Sequence, residues 1–232
     1  MRVRRLVRQA MGVVMLFCVM TAVLAQVPPS SSEIARYSGL FSAAARGDAA
    51  QIKSLVANGV SLDARDARGR TPLHVAAFTR QHAAMRALVG AGANANALEH
   101  DRYDIVTIAA VANDVPTLQL ALELGCSAKN ITSRYDGTAL IAAAHLGHAE
   151  VVRLLIEAGA PLDHVNNLNW TAVIESIVLG DGGARHTDTL KALLQAGANP
   201  NIADRGGQTP LALARAKRYE GMVKLLQEAG AR

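Results

Sequence analysis

Apolar and polar positions along this chain recur with a period near 33 residues. An apolar residue returns at Leu40, Leu73, Val106, Leu140, Val173 and Leu211. Three residues later a small one returns at Ala43, Ala76, Ala109, Ala143, Ser176 and Ala214. A glycine closes each block, at Gly59, Gly92, Gly125, Gly159, Gly197 and Gly230. Counted from Ser38, Thr71, Asp104, Thr138 and Thr209, the glycine follows 21 residues on; from Thr171 it follows after 26, so that block carries five extra residues. Each position predicts a job. The apolar residue points inward, and the small one lets neighbouring first helices pack closely. The glycine ends the second helix, where a left-handed cap favours a residue without Cβ. A polar residue opens the next turn at Asp63, Asn96, Asp163 and Asn201, whereas Lys129 breaks the rule and predicts an irregular turn between the third and fourth blocks.

Arg70–Ala77 reads Arg-Thr-Pro-Leu-His-Val-Ala-Ala, and Gly137–Ala144 reads Gly-Thr-Ala-Leu-Ile-Ala-Ala-Ala. The second of these runs on into Gly147-His148-Ala-Glu-Val-Val-Arg-Leu-Leu155 and Ala158-Gly-Ala160, and Thr209–Ala214 opens a third clear copy. These segments resemble the ankyrin repeat, whose signature is T-P-L-H-x-A-A at a period near 33. The resemblance implies an all-α solenoid of about six helix-turn-helix units joined by hairpin loops, covering about residues 34–66, 67–99, 100–133, 134–166, 167–204 and 205–232. Residues 26–33, with Val-Pro-Pro-Ser-Ser-Ser, read as a short extended linker. The outer units read as caps. Arg215 replaces the Ala found at 44, 77, 110 and 144, and Tyr37 and Phe41 are placed to cover the first unit's open edge.

Composition fits this picture. Half the residues are hydrophobic, but only three Phe, four Tyr and one Trp are aromatic, so the core must come from Ala, Leu, Val and Ile. The net charge of +5 belongs largely to the first residues. Of 24 Lys and Arg, four (Arg2, Arg4, Arg5 and Arg8) lie there, leaving 20 against all 19 acids. With no clustered basic face after residue 25, no nucleic-acid partner is expected.

Residues 1–25 read as a secretory signal peptide. The four arginines precede an apolar run of 14 residues, Met11 to Leu24, and Val23 and Ala25 place small residues at a cleavage site before Gln26. As a helix that run would span about 21 Å, short of a bilayer core of about 30 Å. The expected location is the periplasm. An inner-membrane anchor facing the periplasm follows if the leader is uncleaved, and an extracellular protein is the other alternative. Overall the chain resembles small exported bacterial ankyrin-repeat proteins. Cleavage would remove Cys18 and leave Cys126 alone, at a position otherwise held by Val or Ala, where it reads as a small buried hydrophobe.

Neither catalysis nor a cofactor is expected. No nucleophile, base and orienting group share a motif. His74 belongs to the signature, where in ankyrin proteins the histidine is a structural residue linking adjacent turns. His145 and His148 are three apart, but no further ligands for a closed metal site lie nearby in sequence.

The expected partner is a protein, with no small-molecule substrate. The resemblance places binding on the concave side, at the residue before the signature Thr and at seven and eight residues after it. These positions give Arg70, Phe78, Tyr103, Val111, His145, Trp170, Val178 and Leu179; Tyr135 lies in the hairpin that ends at Gly137. Tyr103, Tyr135 and Trp170 would form an aromatic row on three successive units, of the kind that anchors protein interfaces. A second candidate is the stretch from Leu179 to Asp188, read as a flexible glycine-rich loop in which Asp181, Arg185 and His186 supply polar reach. A binding or adaptor module is the leading reading. A secreted factor acting on host proteins is the alternative, and an enzyme or metal protein on a repeat scaffold is a weaker one.

Overall fold

A computed structural model describes residues 26–232, so the expected leader lies outside the described residues. Among those residues are thirteen helices and no extended strand. Six pairs follow one plan. The inner helices are α2 (Gly39–Arg46), α4 (Pro72–Phe78), α6 (Ile105–Val111), α8 (Ala139–Leu146), α10 (Ala172–Val178) and α12 (Pro210–Ala216). The outer helices are α3 (Ala49–Ala57), α5 (His82–Gly90), α7 (Val115–Glu123), α9 (Ala149–Glu157), α11 (Ala184–Gln195) and α13 (Glu220–Glu228). Each inner helix packs on its own outer helix and on the inner helix of the next unit.

Local chemistry explains the repeat positions. Thr71, Asp104, Thr138, Thr171 and Thr209 are N-caps, and each side-chain oxygen accepts a backbone N–H of the first turn. The six closing glycines all have positive φ, between 78° and 99°, as left-handed helix stops. The small residues of the inner helices are fully buried, and Ser176 satisfies its hydroxyl by donating to Val173 O at 2.8 Å. The polar residues that open the hairpins clamp unit to unit. Asp63 Oδ1 accepts from Asn94 N, Asn96 Oδ1 from Ser127 N, Asp163 Oδ1 from Asn199 N and Asn201 Oδ1 from Arg232 N. Lys129 has no acceptor to offer. At that hairpin Asn130 Nδ2 reaches Asn96 and Asp104 instead, and Thr132 pairs with Gly137 in an isolated bridge.

The linker reading needs correction. Helix α1 (Ser31–Arg36) begins within it, nucleated by a capping box: Glu33 N donates to Ser30 Oγ, and Ser30 N to Glu33 Oε2. The Ser-x-x-Glu spacing that builds this box was present in the sequence. Helix α1 closes the first unit over Arg70, whose side chain is 1% exposed. Arg70 bonds Glu33 Oε1 at 2.6 Å, Asp66 Oδ2 at 2.8 Å, Val27 O at 3.1 Å and Tyr37 Oη at 3.1 Å. Tyr37 stacks on Phe41 and donates to Asp66, so both rings do cover this end. At the other end Arg215, Lys217 and Arg218 are solvated.

The buried arginine and its partners generate two predictions. Arg70→Ala removes the buried cation that Glu33 and Asp66 share, leaving Glu33 with Arg68 at 3.9 Å and Asp66 with the Tyr37 hydroxyl. We expect a loss of about 2–3 kcal/mol, at the low side because Glu33 keeps some access to water. It should appear as a lower thermal midpoint and faster amide exchange in α1 and α2. The second concerns pH. The Ser30 amide and hydroxyl, then Arg70, hold the Glu33 carboxyl at about 2, below its ordinary 4.5. A depressed carboxyl stabilises fully above its unfolded value and loses that contribution as pH falls toward the folded one. Amide protection in α1 should therefore decay between pH 4.5 and about 2, ahead of the central units.

Candidate functional site

The inner helices and hairpins of units three to five enclose an apolar pocket of about 150 Å³. Its walls follow the helical period. Thr107 and Val111 come from one face of α6, Ile141, Ala142, His145 and Leu146 from α8, and Glu175 and Leu179 from α10 and its C-terminal end. Tyr103, Tyr135, Leu168 and Trp170 enter from the hairpins. The hairpins hold these side chains by a shared device. A residue five before each N-cap accepts backbone N–H groups of the tip: Glu99 from Tyr103 N, Ser133 from Tyr135 N, and Asn166 from Leu168 N and Trp170 N. Two residues before the caps, Arg102, Asp136 and Asn169 take left-handed backbone, which turns the tip toward the helices.

Six of the nine expected contact residues meet here: Tyr103, Val111, Tyr135, His145, Trp170 and Leu179. The aromatic row is therefore a pocket wall rather than a set of exposed tips. Tyr103 is 8% exposed, while Tyr135 and Trp170 are half-buried. The other three stand apart. Phe78 packs against the core and Val178 is half-buried outside the pocket. Arg70 is withdrawn from any partner because α1 covers it, a consequence of the unanticipated first helix.

Sequence reasoning passed over Glu175. It lies four residues after its cap, where the other units carry Ser42, Val75, Ile108, Ala142 and Leu213, so it was legible as the only charge in that register. Glu175 is 5% exposed. His145 Nδ1 lies 2.9 Å from its Oε2, and Asn166 Nδ2 donates to its Oε1 at 3.0 Å. Gln26, the first described residue, also lines the pocket, and Leu168 forms part of its exposed rim.

The glycine-rich stretch is a second correction. Its last five residues extend α11, which runs 12 residues where the other outer helices run nine. His186 is buried, with Nδ1 at Asp181 Oδ1 and Nε2 donating to His145 O at 3.0 Å. Gly182 packs under the Tyr219 ring, Gly180 packs against Ser176 O and His186, and the Tyr219 hydroxyl donates to Gly180 O. Of the three polar candidates in this stretch, only Asp181 and Arg185 remain exposed, and Asp181 is engaged by Gly183 N and His186.

His74, His82 and His148 are ties between units. His74 Nδ1 accepts from Thr71 N, which leaves Nε2 to donate to Tyr103 O at 3.1 Å. Burial lowers its pKa and keeps the ring neutral for this role. His148 Nδ1 donates to Ala110 O, two units from the Glu175 that His145 faces. Burial pushes the Cys126 thiol up to about 12, so it stays protonated among its apolar neighbours.

The family description "Ankyrin repeats (3 copies)" matches residues 21–99, 40–128 and 105–204. The chain belongs to the ankyrin repeat family. Among its relatives is the putative ankyrin repeat protein YahD of Escherichia coli (strain K12), 34% identical over 82% of this chain and 94% of that protein. Ankyrin repeat and SOCS box protein 16 of Homo sapiens is 31% identical over 82% of this chain but only 42% of its own length. The crystal structure of an ankyrin repeat domain from Acinetobacter baumannii AYE superposes with a TM-score of 0.78. It has 43% identity and covers 83% of this chain and 98% of that one. Ankyrin repeat domains are in general protein–protein interaction modules.

Two glycines, one packed and one open, yield predictions with opposite signs. A Cβ at Gly180 would run into Ser176 O and lie 2.9 Å from His186 Cγ, so Gly180→Ala should cost about 1–3 kcal/mol through overpacking. Gly90 sits in α5, and a methyl group added there would meet nothing within 4 Å, so Gly90→Ala should stabilise by up to about 1 kcal/mol. Parallel urea titrations read both.

Proposed function

We propose that this ankyrin-repeat chain is an exported adaptor that holds a protein partner on its inner face, over units three to five. The pocket walled by Tyr103, Tyr135 and Trp170 carries this reading. Aromatic rings beside apolar Val111, Leu146 and Leu179, within a polar rim, have the make-up of an interface hot spot. Hairpin tips that are hydrogen-bonded in place lose little conformational freedom on binding, which favours affinity. The arginine-led apolar leader supports export to the periplasm. Among the described residues, no helix is long and apolar enough to cross a membrane, so any anchorage would rest on the leader.

The test removes the central ring. Trp170 is half-buried, and the hydrogen bonds that shape its hairpin use its backbone N–H and C=O, which substitution leaves in place. Trp170→Ala should weaken partner capture by about 2 kcal/mol, roughly thirtyfold in Kd, with a near-unchanged melting curve. Affinity purification of the tagged protein with mass spectrometry, followed by titration of the partner found, measures this. Equal recovery of the same partners by the variant would place binding elsewhere.

A further inference from the structure

The inner-face pocket combines two features that the adaptor reading does not use. The first is a buried carboxylate in an aromatic enclosure. Glu175 stands in a wall otherwise made of Tyr103, Tyr135, Trp170, Leu179 and other largely apolar side chains. An ionised carboxylate offers about four acceptor sites. His145 and Asn166 fill one on each oxygen, and no Lys or Arg pairs with Glu175 among the described residues. Aromatic faces and a desolvated carboxylate attract the same kind of group, a cation.

The second feature is the chain's own extended segment. Residues 26–30 precede α1 without regular structure; Pro28 and Pro29 keep them extended. Arg70, buried under α1 and outside the pocket, donates to Val27 O and so fixes the backbone next to Gln26. One residue upstream, Gln26 reaches into the pocket, and its buried Nε2 has no hydrogen-bond partner among the described residues. An extended segment thus already places one donor side chain in the pocket. A neutral amide leaves that donor unsatisfied, which makes this occupant easy to displace.

We propose that the inner face binds an extended peptide segment that inserts a basic side chain, Arg or Lys, between Tyr103, Tyr135 and Trp170 toward Glu175, displacing Gln26. The proposal rests on the inner-face reading above and names its ligand chemistry. A cation supplies the charge and donors that Glu175 can still accept, while the three rings contact the apolar stem.

Trp170 is the sole tryptophan of the chain, so its emission reports on the pocket directly. The probes are acetyl-Ala-Arg-Val-Pro-Pro-amide and its counterparts with Gln or Glu in place of Arg, patterned on residues 25–29. Titrated into the purified chain, the Arg peptide should bind saturably and about tenfold more tightly than the Gln peptide, as a charge-assisted hydrogen bond exceeds a neutral one. The Glu peptide should be weaker still. Gln26→Ala should tighten the Arg peptide, and Glu175→Gln should bring Arg and Gln peptides within about threefold of each other. Should Glu175→Gln unfold the chain, Leu168→Lys at the exposed rim substitutes for it: a resident cation must weaken the Arg peptide and spare the Gln peptide. Equal binding of Arg and Gln peptides, or a preference that survives Glu175→Gln, overturns the proposal and leaves the inner-face adaptor reading standing. Silence of Trp170 toward every peptide, alongside partner capture that still depends on Trp170, overturns the basic-peptide assignment alone.

Discussion

Two helices approach only as closely as the side chain between them allows, and in this stack that side chain is a methyl or a hydroxymethyl group. Ala43, Ala76, Ala109, Ala143, Ser176 and Ala214 are buried at the inner-helix contacts. Their smallness sets the spacing of the units. That spacing brings each hairpin within hydrogen-bond reach of the next, so that Asp63, Asn96, Asp163 and Asn201 can clamp the following turn. A larger residue at any of these contacts would part the hairpins as well as the helices. No single unit buries enough apolar surface to stand alone, so the stack is held by its interfaces.

Polar side chains carry information about register rather than chemistry. The histidines illustrate this. His74, His148 and His186 each end on a backbone carbonyl of another unit, and His164 ties its own unit's second hairpin to Asp136 O in the first. Such bonds are directional, whereas burial of Ala and Leu is not, and they hold one helix against the next at a defined height. His82 reaches the Thr117 hydroxyl instead, and His145 spends its Nδ1 on Glu175 at the wall of the pocket. There the repeat pattern gives way to a local arrangement of charge in an apolar wall. The ends are exceptions too. At the first unit, Arg70 gathers Glu33, Asp66, Tyr37 and Val27 into one cluster, and α1 serves as the lid that a terminal repeat lacks.

Much of this architecture is legible in the amino-acid order. The six units, their caps, the left-handed glycines and the aromatic row all rest on spacing, and spacing survives in a sequence. Glu175 was legible in principle, as one acid in an apolar register, yet a charge on a helix reads as solvent-facing unless burial is known. Helix α1 was hidden for a related reason. Its six residues bury no side chain of their own, and Val-Pro-Pro-Ser-Ser-Ser resembles a linker, although the Ser-x-x-Glu box was there to be seen.

The sequence by itself therefore determined the family, the number of units, the residues that stop and start every helix, and the face on which the rings lie. These follow from local rules that act over a few residues and repeat. Tertiary structure alone decided that Arg70 is covered, that the glycine stretch is packed and partly helical, and that Tyr103, Tyr135 and Trp170 close on Glu175 and Gln26. Each of those outcomes joins residues from different units or from the segment ahead of the first unit, and contacts across such separations depend on how the stack closes, which no local period encodes.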